Sequence, residues 1–80
     1  MSKKNKELPK WFAKEGAIVW NEGATVINPF TGASYKLNKE ELSMYDLILG
    51  ANSIGANALL RKGLDWFRRA NPEAYMVLLD

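Results

Sequence analysis

The chain has no cysteine and no histidine. The first absence removes disulfide bridges and thiolate metal sites as ways of holding a small core together, and it fits a reducing compartment. The second takes away the usual general base at neutral pH and, with the first, the ligand sets of ordinary zinc and copper sites. Most hydrolase designs are thereby excluded, and the expectation is a protein without enzymatic activity, cofactor or metal. Long apolar runs are also missing. Stretches such as Leu47–Leu49 and Tyr75–Leu79 fall far short of the roughly 20 residues that cross a bilayer. The charged start Met1-Ser2-Lys3-Lys4-Asn5-Lys6 is not followed by an apolar segment of about 7–15 residues, so it does not read as a signal peptide, and a cytoplasmic protein is expected.

What remains is the composition of a folded domain: 48% apolar residues and nine aromatics, three of them tryptophan. A chain of 80 residues suffices for one domain that buries roughly 60% of its unfolded surface. The net charge of +2 is unevenly placed. Lys3, Lys4, Lys6, Lys10 and Lys14 against Glu7 give the first fourteen residues +4 and leave −2 for the rest. Attraction to polyanions would therefore come from the N-terminal arm rather than from the folded part.

Residues 1–9, polar, lysine-rich and ending in Pro9, are expected to form a disordered basic arm, with 10–80 a single small α+β domain. Lys10 to Glu15 is either one helical turn or an extended segment across the core, ended by Gly16. Ile18-Val19-Trp20 and Thr25-Val26-Ile27 read as two strands joined by Asn21-Glu22-Gly23, with Gly23 in the left-handed region. Asn28-Pro29-Phe30-Thr31-Gly32 supplies a second turn before a third strand, Ser34 to Leu37. The predicted fold is a three-stranded antiparallel β-meander followed by two α-helices and a short C-terminal helix. Asn38 and Glu41 make a capping box that opens the first helix. Its core stripe is Leu42, Tyr45, Ile48 and Leu49, with Lys39, Glu40, Ser43 and Asp46 turned away. Gly50 and Gly55 predict a break near 50–55. A second helix from about Ala56 to Ala70 carries the stripe Leu60, Gly63, Leu64 and Phe67, widened by Leu59 and Trp66. Asn71-Pro72-Glu73 opens the last helix, Ala74 to Leu79.

Few residues carry chemistry. Glu40, Glu41 and Asp46 are neighbouring carboxylates of the kind a glycosidase-like or magnesium site uses, but the expected account is that Glu41 caps the helix while Glu40 and Asp46 are solvated. Gly50-Ala51-Asn52-Ser53-Ile54-Gly55 lacks the Gly-Lys-Ser/Thr ending of a phosphate loop and reads as a turn. Arg61, Lys62, Arg68 and Arg69 gather opposite the apolar stripe and suit phosphate contacts, but Asp65 among them equally suits a solvated face of exposed pairs. Trp11 and Phe12 beside lysines either stack bases or plug the core. Tyr75, Met76, Val77, Leu78 and Leu79 are too apolar for all to face one small core, so some are expected at a binding or self-association surface, together with Trp66.

Four segments, Asn28-Pro29-Phe30-Thr31-Gly32, Leu42-Ser43-Met44-Tyr45-Asp46, Gly63-Leu64-Asp65-Trp66-Phe67-Arg68-Arg69 and Asn71 to Asp80, resemble small proteins of tailed bacteriophages, particularly marine cyanophages. The resemblance spans about Gly16 to Asp80. No activity, ligand or catalytic residue is established for that family, so no site residue follows from it. It implies a setting, in which small accessory phage proteins bind and redirect a host protein or serve in the particle. The leading expectation is a phage accessory protein in the host cytoplasm that binds a host or phage protein through Trp66, Tyr75, Met76 and Leu79. The alternatives are a nucleic-acid-binding protein using Lys3, Lys4, Lys6, Arg61, Lys62, Arg68 and Arg69, and a self-assembling component of the particle.

Overall fold

The computed structural model describes residues 7–79. The element order is α1 (Lys10–Lys14), β1 (Ala24–Ile27), β2 (Ser34–Leu37), α2 (Lys39–Ile54), α3 (Asn57–Ala70) and α4 (Pro72–Leu78). The α+β class holds, but the three-stranded meander does not: the sheet has two antiparallel strands, with Val26 opposite Tyr35 and Ala24 opposite Leu37, beside four helices, of which α2 and α4 pack on β2. The first six residues of the expected arm, with Lys3, Lys4 and Lys6, lie outside the described residues. Residues 7–9 already engage the domain, because Leu8 packs on the core and the Glu7 carbonyl accepts from Trp66 Nε1.

The missing strand is explained by a partner distant in sequence. Residues 17–20 form an irregular strap beside α2 instead of pairing with β1. Glu15, just before the strap, shares a groove with Ile54 at the end of α2, and the Trp20 amide donates to Ser43 Oγ nearer its start. Ser43 can be buried there because its own hydroxyl donates back to Lys39 O. Gly23 is not in the left-handed region. Its use is close approach: a Cβ there would stand 2.0 Å from Leu37 O. The Asn21-Glu22-Gly23 segment thus delivers the chain from α2 to the end of β2 rather than folding it back on itself.

The helices follow their sequence signals more closely. Asn38 Oδ1 accepts from the Glu41 amide and Glu41 Oε1 accepts from the Asn38 amide, completing the box that starts α2. The helix continues through Gly50 and stops at Gly55, which adopts φ 74°. No break occurs at Gly50. A second buried stripe, Ser43, Leu47 and Ala51, lies beside Tyr45 and Ile48; α3 packs against α2, and Ser43 also takes the Trp20 amide. At the α2–α3 contact, a Cβ on Gly63 would meet Ile48 Cγ1 at 2.7 Å, so glycine sets the closeness of the two helices. Phe12, Leu37, Met44, Phe67 and Ala74 fill the centre, with Tyr45 and Trp66 packing on Phe67.

The starts of α2 and α4 are physically joined. Asn71 Oδ1 accepts from the Ala74 amide as the cap of α4, while its Nδ2 donates to Glu41 Oε2. One buried carboxylate thereby serves two helix N-termini, and its desolvation is offset by hydrogen bonds at both oxygens.

Candidate docking surface

The hairpin buries one face and leaves the other to solvent. Ala24, Val26, Tyr35 and Leu37 share the inner face of the two strands, and Thr25, Ile27, Ser34 and Lys36 the outer face, which is exposed throughout. The connecting loop is held by side-chain to backbone bonds. Asn28 Oδ1 accepts from the Phe30 amide, Thr31 Oγ1 accepts from the Ala33 amide, and the Gly32 amide, at φ 80°, donates to Asn28 O. Asn28 Nδ2 also donates to Val77 O, one of the carbonyls that the end of α4 leaves without an intrahelical partner. The loop is therefore tied both to itself and to α4.

At the tip of this braced loop the Phe30 side chain is 95% exposed. An aromatic ring in that position contributes nothing to the core, and the braces remove much of the entropy cost of presenting it. Ile27, 62% exposed, lies on the outer face of the hairpin just before the loop, and Met76, 68% exposed, precedes the residue to which Asn28 is anchored. Sequence reasoning missed Phe30 by treating it only as a turn residue. The signal was available: a turn tip lies at the surface, so a bulky apolar residue there has no packing reason.

Of the residues expected at a protein interface, Met76 is exposed, Tyr75 and Leu79 are half-buried, and Trp66 is a core residue only 7% exposed. The Trp66 indole N–H is occupied by Glu7 O. Arg61, Lys62, Arg68 and Arg69 are all exposed on α3. Asp65 Oδ1 is 3.0 Å from Arg68 and 3.4 Å from Arg69, so two of the four cations already face a carboxylate. Lys62 lies 5.5 Å from the centre of the Trp11 ring. An open groove of about 310 Å³ brings Tyr75 beside Arg61, Asp65 and Arg68. Eight carboxylates balance eight cations over residues 7–79, so the described body has no net field to attract a polyanion.

The carboxylates do not converge. Glu41 is buried between Asn38 and Asn71, Glu40 lines a cavity under the strap, and Asp46 is exposed. Among the described residues, no group of three or more Asp or Glu side chains is placed to hold a metal ion. Two phenols are perturbed. Donation to Glu73 Oε1, then partial burial, holds Tyr35 above its ordinary value near 10.0, and burial alone raises Tyr45. Both shifts favour the neutral phenol, a structural rather than a catalytic state.

Among the described residues, no helix is long and apolar enough to cross a membrane. Comparison with protein-family models, curated proteins and solved structures gives no match to this chain.

Proposed function

We propose that this protein works by binding another protein, with the hairpin tip and the adjoining turn of α4 as its docking surface. The observation that carries the reading is Phe30, an almost fully exposed aromatic on a loop braced by five hydrogen bonds, the Asn28 amide also donating to Ala33 O. Fixed aromatic side chains that bury in a partner's pocket dominate interface energies. Tyr75, Met76 and Leu79 remain part of the proposal, whereas Trp66, buried against Phe67 with its N–H on Glu7 O, is withdrawn from the surface. The phage setting, with a host or phage protein as partner, rests on the sequence resemblance. Nucleic-acid binding is less well supported, because Asp65 engages Arg68 and Arg69 and residues 7–79 carry no net charge.

The test is affinity capture from host lysate with the wild-type chain, Phe30→Ser and Arg61→Gln/Lys62→Gln side by side, at low and high salt and with nuclease. The proposal expects a discrete protein retained at high salt, kept by the α3 variant and lost with Phe30→Ser, since apolar contacts are insensitive to salt and phosphate contacts are not. Retention unchanged by Phe30→Ser, or loss of every partner with nuclease, would refute it.

A further inference from the structure

β2 pairs along one side of β1, and among the described residues no strand pairs along the other. The register fixes which backbone groups this leaves over. The Asn28 amide donates to Ala33 O, so the hydrogen-bonded positions of the ladder recur at every second residue: Asn28 with Ala33, Val26 with Tyr35 and Ala24 with Leu37. Thr25 and Ile27 therefore point their N–H and C=O groups away from β2, and among the described residues these four groups have no hydrogen-bond partner. Such an edge is a template for another strand, and natural proteins blunt it with charge, proline or a bulge. Ala24-Thr25-Val26-Ile27 carries no charge and no proline, pairs with β2 without a bulge, and has three β-branched residues out of four. The helices do not shield it, since α2 and α4 pack on β2 rather than β1.

The edge is complementary to itself. In antiparallel pairing about a two-fold axis at Val26, Thr25 stands opposite Ile27 of a second copy and Ile27 opposite its Thr25, so all four outward groups of each copy find partners. Val26, half-buried on the inner face, meets the Val26 of the second copy at a closely spaced position. On the outer face Ile27, 62% exposed, lies against Thr25 of the second copy. Lys36, opposite Thr25 within each hairpin, falls on the outer strands at diagonal corners, so this register sets no like charges side by side. Residues 7–79 carry no net charge, and two copies approach without mutual repulsion. We propose that β1 pairs antiparallel with the β1 of a second copy, joining two hairpins into one four-stranded sheet. The contact is short, so the dimer is weak and concentration-dependent. It leaves Phe30 and Met76 outside, and so stands apart from the docking surface proposed above.

The test is sedimentation equilibrium of the purified full chain from about 10 μM to about 1 mM, with amide hydrogen exchange followed over the same range. The proposal expects the mass to rise from that of one chain towards that of two. The Thr25 and Ile27 amides should exchange freely when dilute and slow in step with the dimer fraction, while the Val26 amide, held by β2, is protected throughout. Thr25→Pro removes one outward donor per copy without touching a β1–β2 bond, and Ile27→Lys puts on the edge the charge that blunts natural ones. Each should raise the dissociation constant at least tenfold with Val26 still protected, whereas Phe30→Ser should leave association unchanged. A dimer whose Thr25 and Ile27 amides gain no protection, or one indifferent to Ile27→Lys, would overturn the proposal. So would association lost with Phe30→Ser, which would assign the contact to the hairpin tip. A single chain at the highest concentration would also overturn it, leaving the edge to a strand of another protein.

Discussion

The segment from residue 17 to residue 33 and the helices that follow it treat apolar side chains in opposite ways. In α2 and α3 most of the large residues interlock, down to a glycine at the helix contact, with Leu49 and Ile54 of α2 as the exposed exceptions, and the polar groups they enclose are cross-linked through Glu41 and Asn71. In the strap and hairpin, Ile18, Val19, Trp20, Ile27 and Phe30 stand exposed on a backbone that is nonetheless well braced. A disordered segment would not hold such residues in fixed positions, and a purely structural one would bury them. On the reading proposed above, the contrast means that the helical half supplies most of the stability, while the hairpin tip, with Met76 of α4 beside it, is free to supply contacts.

The largest test of that division is Phe67→Ala. Removing a fully buried ring that packs on Tyr45 and Trp66 should cost about 3–5 kcal/mol. A domain of this size has only about 4–12 kcal/mol to lose, so urea unfolding should show a much lower midpoint or no folded baseline. Next comes Asn71→Ala, which deletes the α4 cap and one of the donors to Glu41. The expected loss is about 2–4 kcal/mol by the same measurement.

The helix glycines sharpen the comparison because they should respond with opposite signs. Gly63→Ala meets Ile48 and should destabilise by about 1 kcal/mol, overpacking outweighing the gain in helix propensity. Gly50→Ala faces open space within the same helix pair and should stabilise by about 0.5–1 kcal/mol. Phe30→Ser, in the other half, should change stability by less than about 0.5 kcal/mol, since the side chain touches solvent.

The smallest expected effect is electrostatic. The Tyr35 phenol is raised because it donates to Glu73. The associated stabilisation is therefore fully present below the ordinary tyrosine value and is lost as pH rises through the higher folded value. Phenolate absorbance should place two tyrosines, Tyr35 and Tyr45, above the ordinary range, and Glu73→Ala should lower Tyr35 while leaving Tyr45 raised.

Much of the helical half was legible in the sequence because its signals are local. Asn38 with Glu41, Asn71 with Pro72, and the stripe of Gly63 and Phe67 each act within one or two helical turns, and each appears in the structure. Ile18-Val19-Trp20 has the composition of a strand, and no local rule tells a strand from a strap. The deciding partner is the Ser43 hydroxyl, 23 residues further on, and a serine reads as solvent-facing unless it is known to satisfy itself against Lys39 O. Leu47 and Ala51 in line with Ser43 were the available clue, since a helix with two apolar stripes needs cover on both sides. For the docking surface, Met76 was legible from the excess of apolar residues in α4. Phe30 was legible only by asking why a turn should carry an aromatic ring. The open edge of β1 was not legible at all, because the predicted meander places that strand at its centre.

The central claim is that the hairpin tip meets a protein. It is tested most directly by placing a photo-crosslinking phenylalanine analogue at position 30 and, as a control, at position 69 on the basic face of α3, followed by irradiation in host cells. The account predicts one discrete protein adduct from position 30 and none of comparable yield from position 69. Adducts to nucleic acid from position 69, with none from position 30, would contradict it.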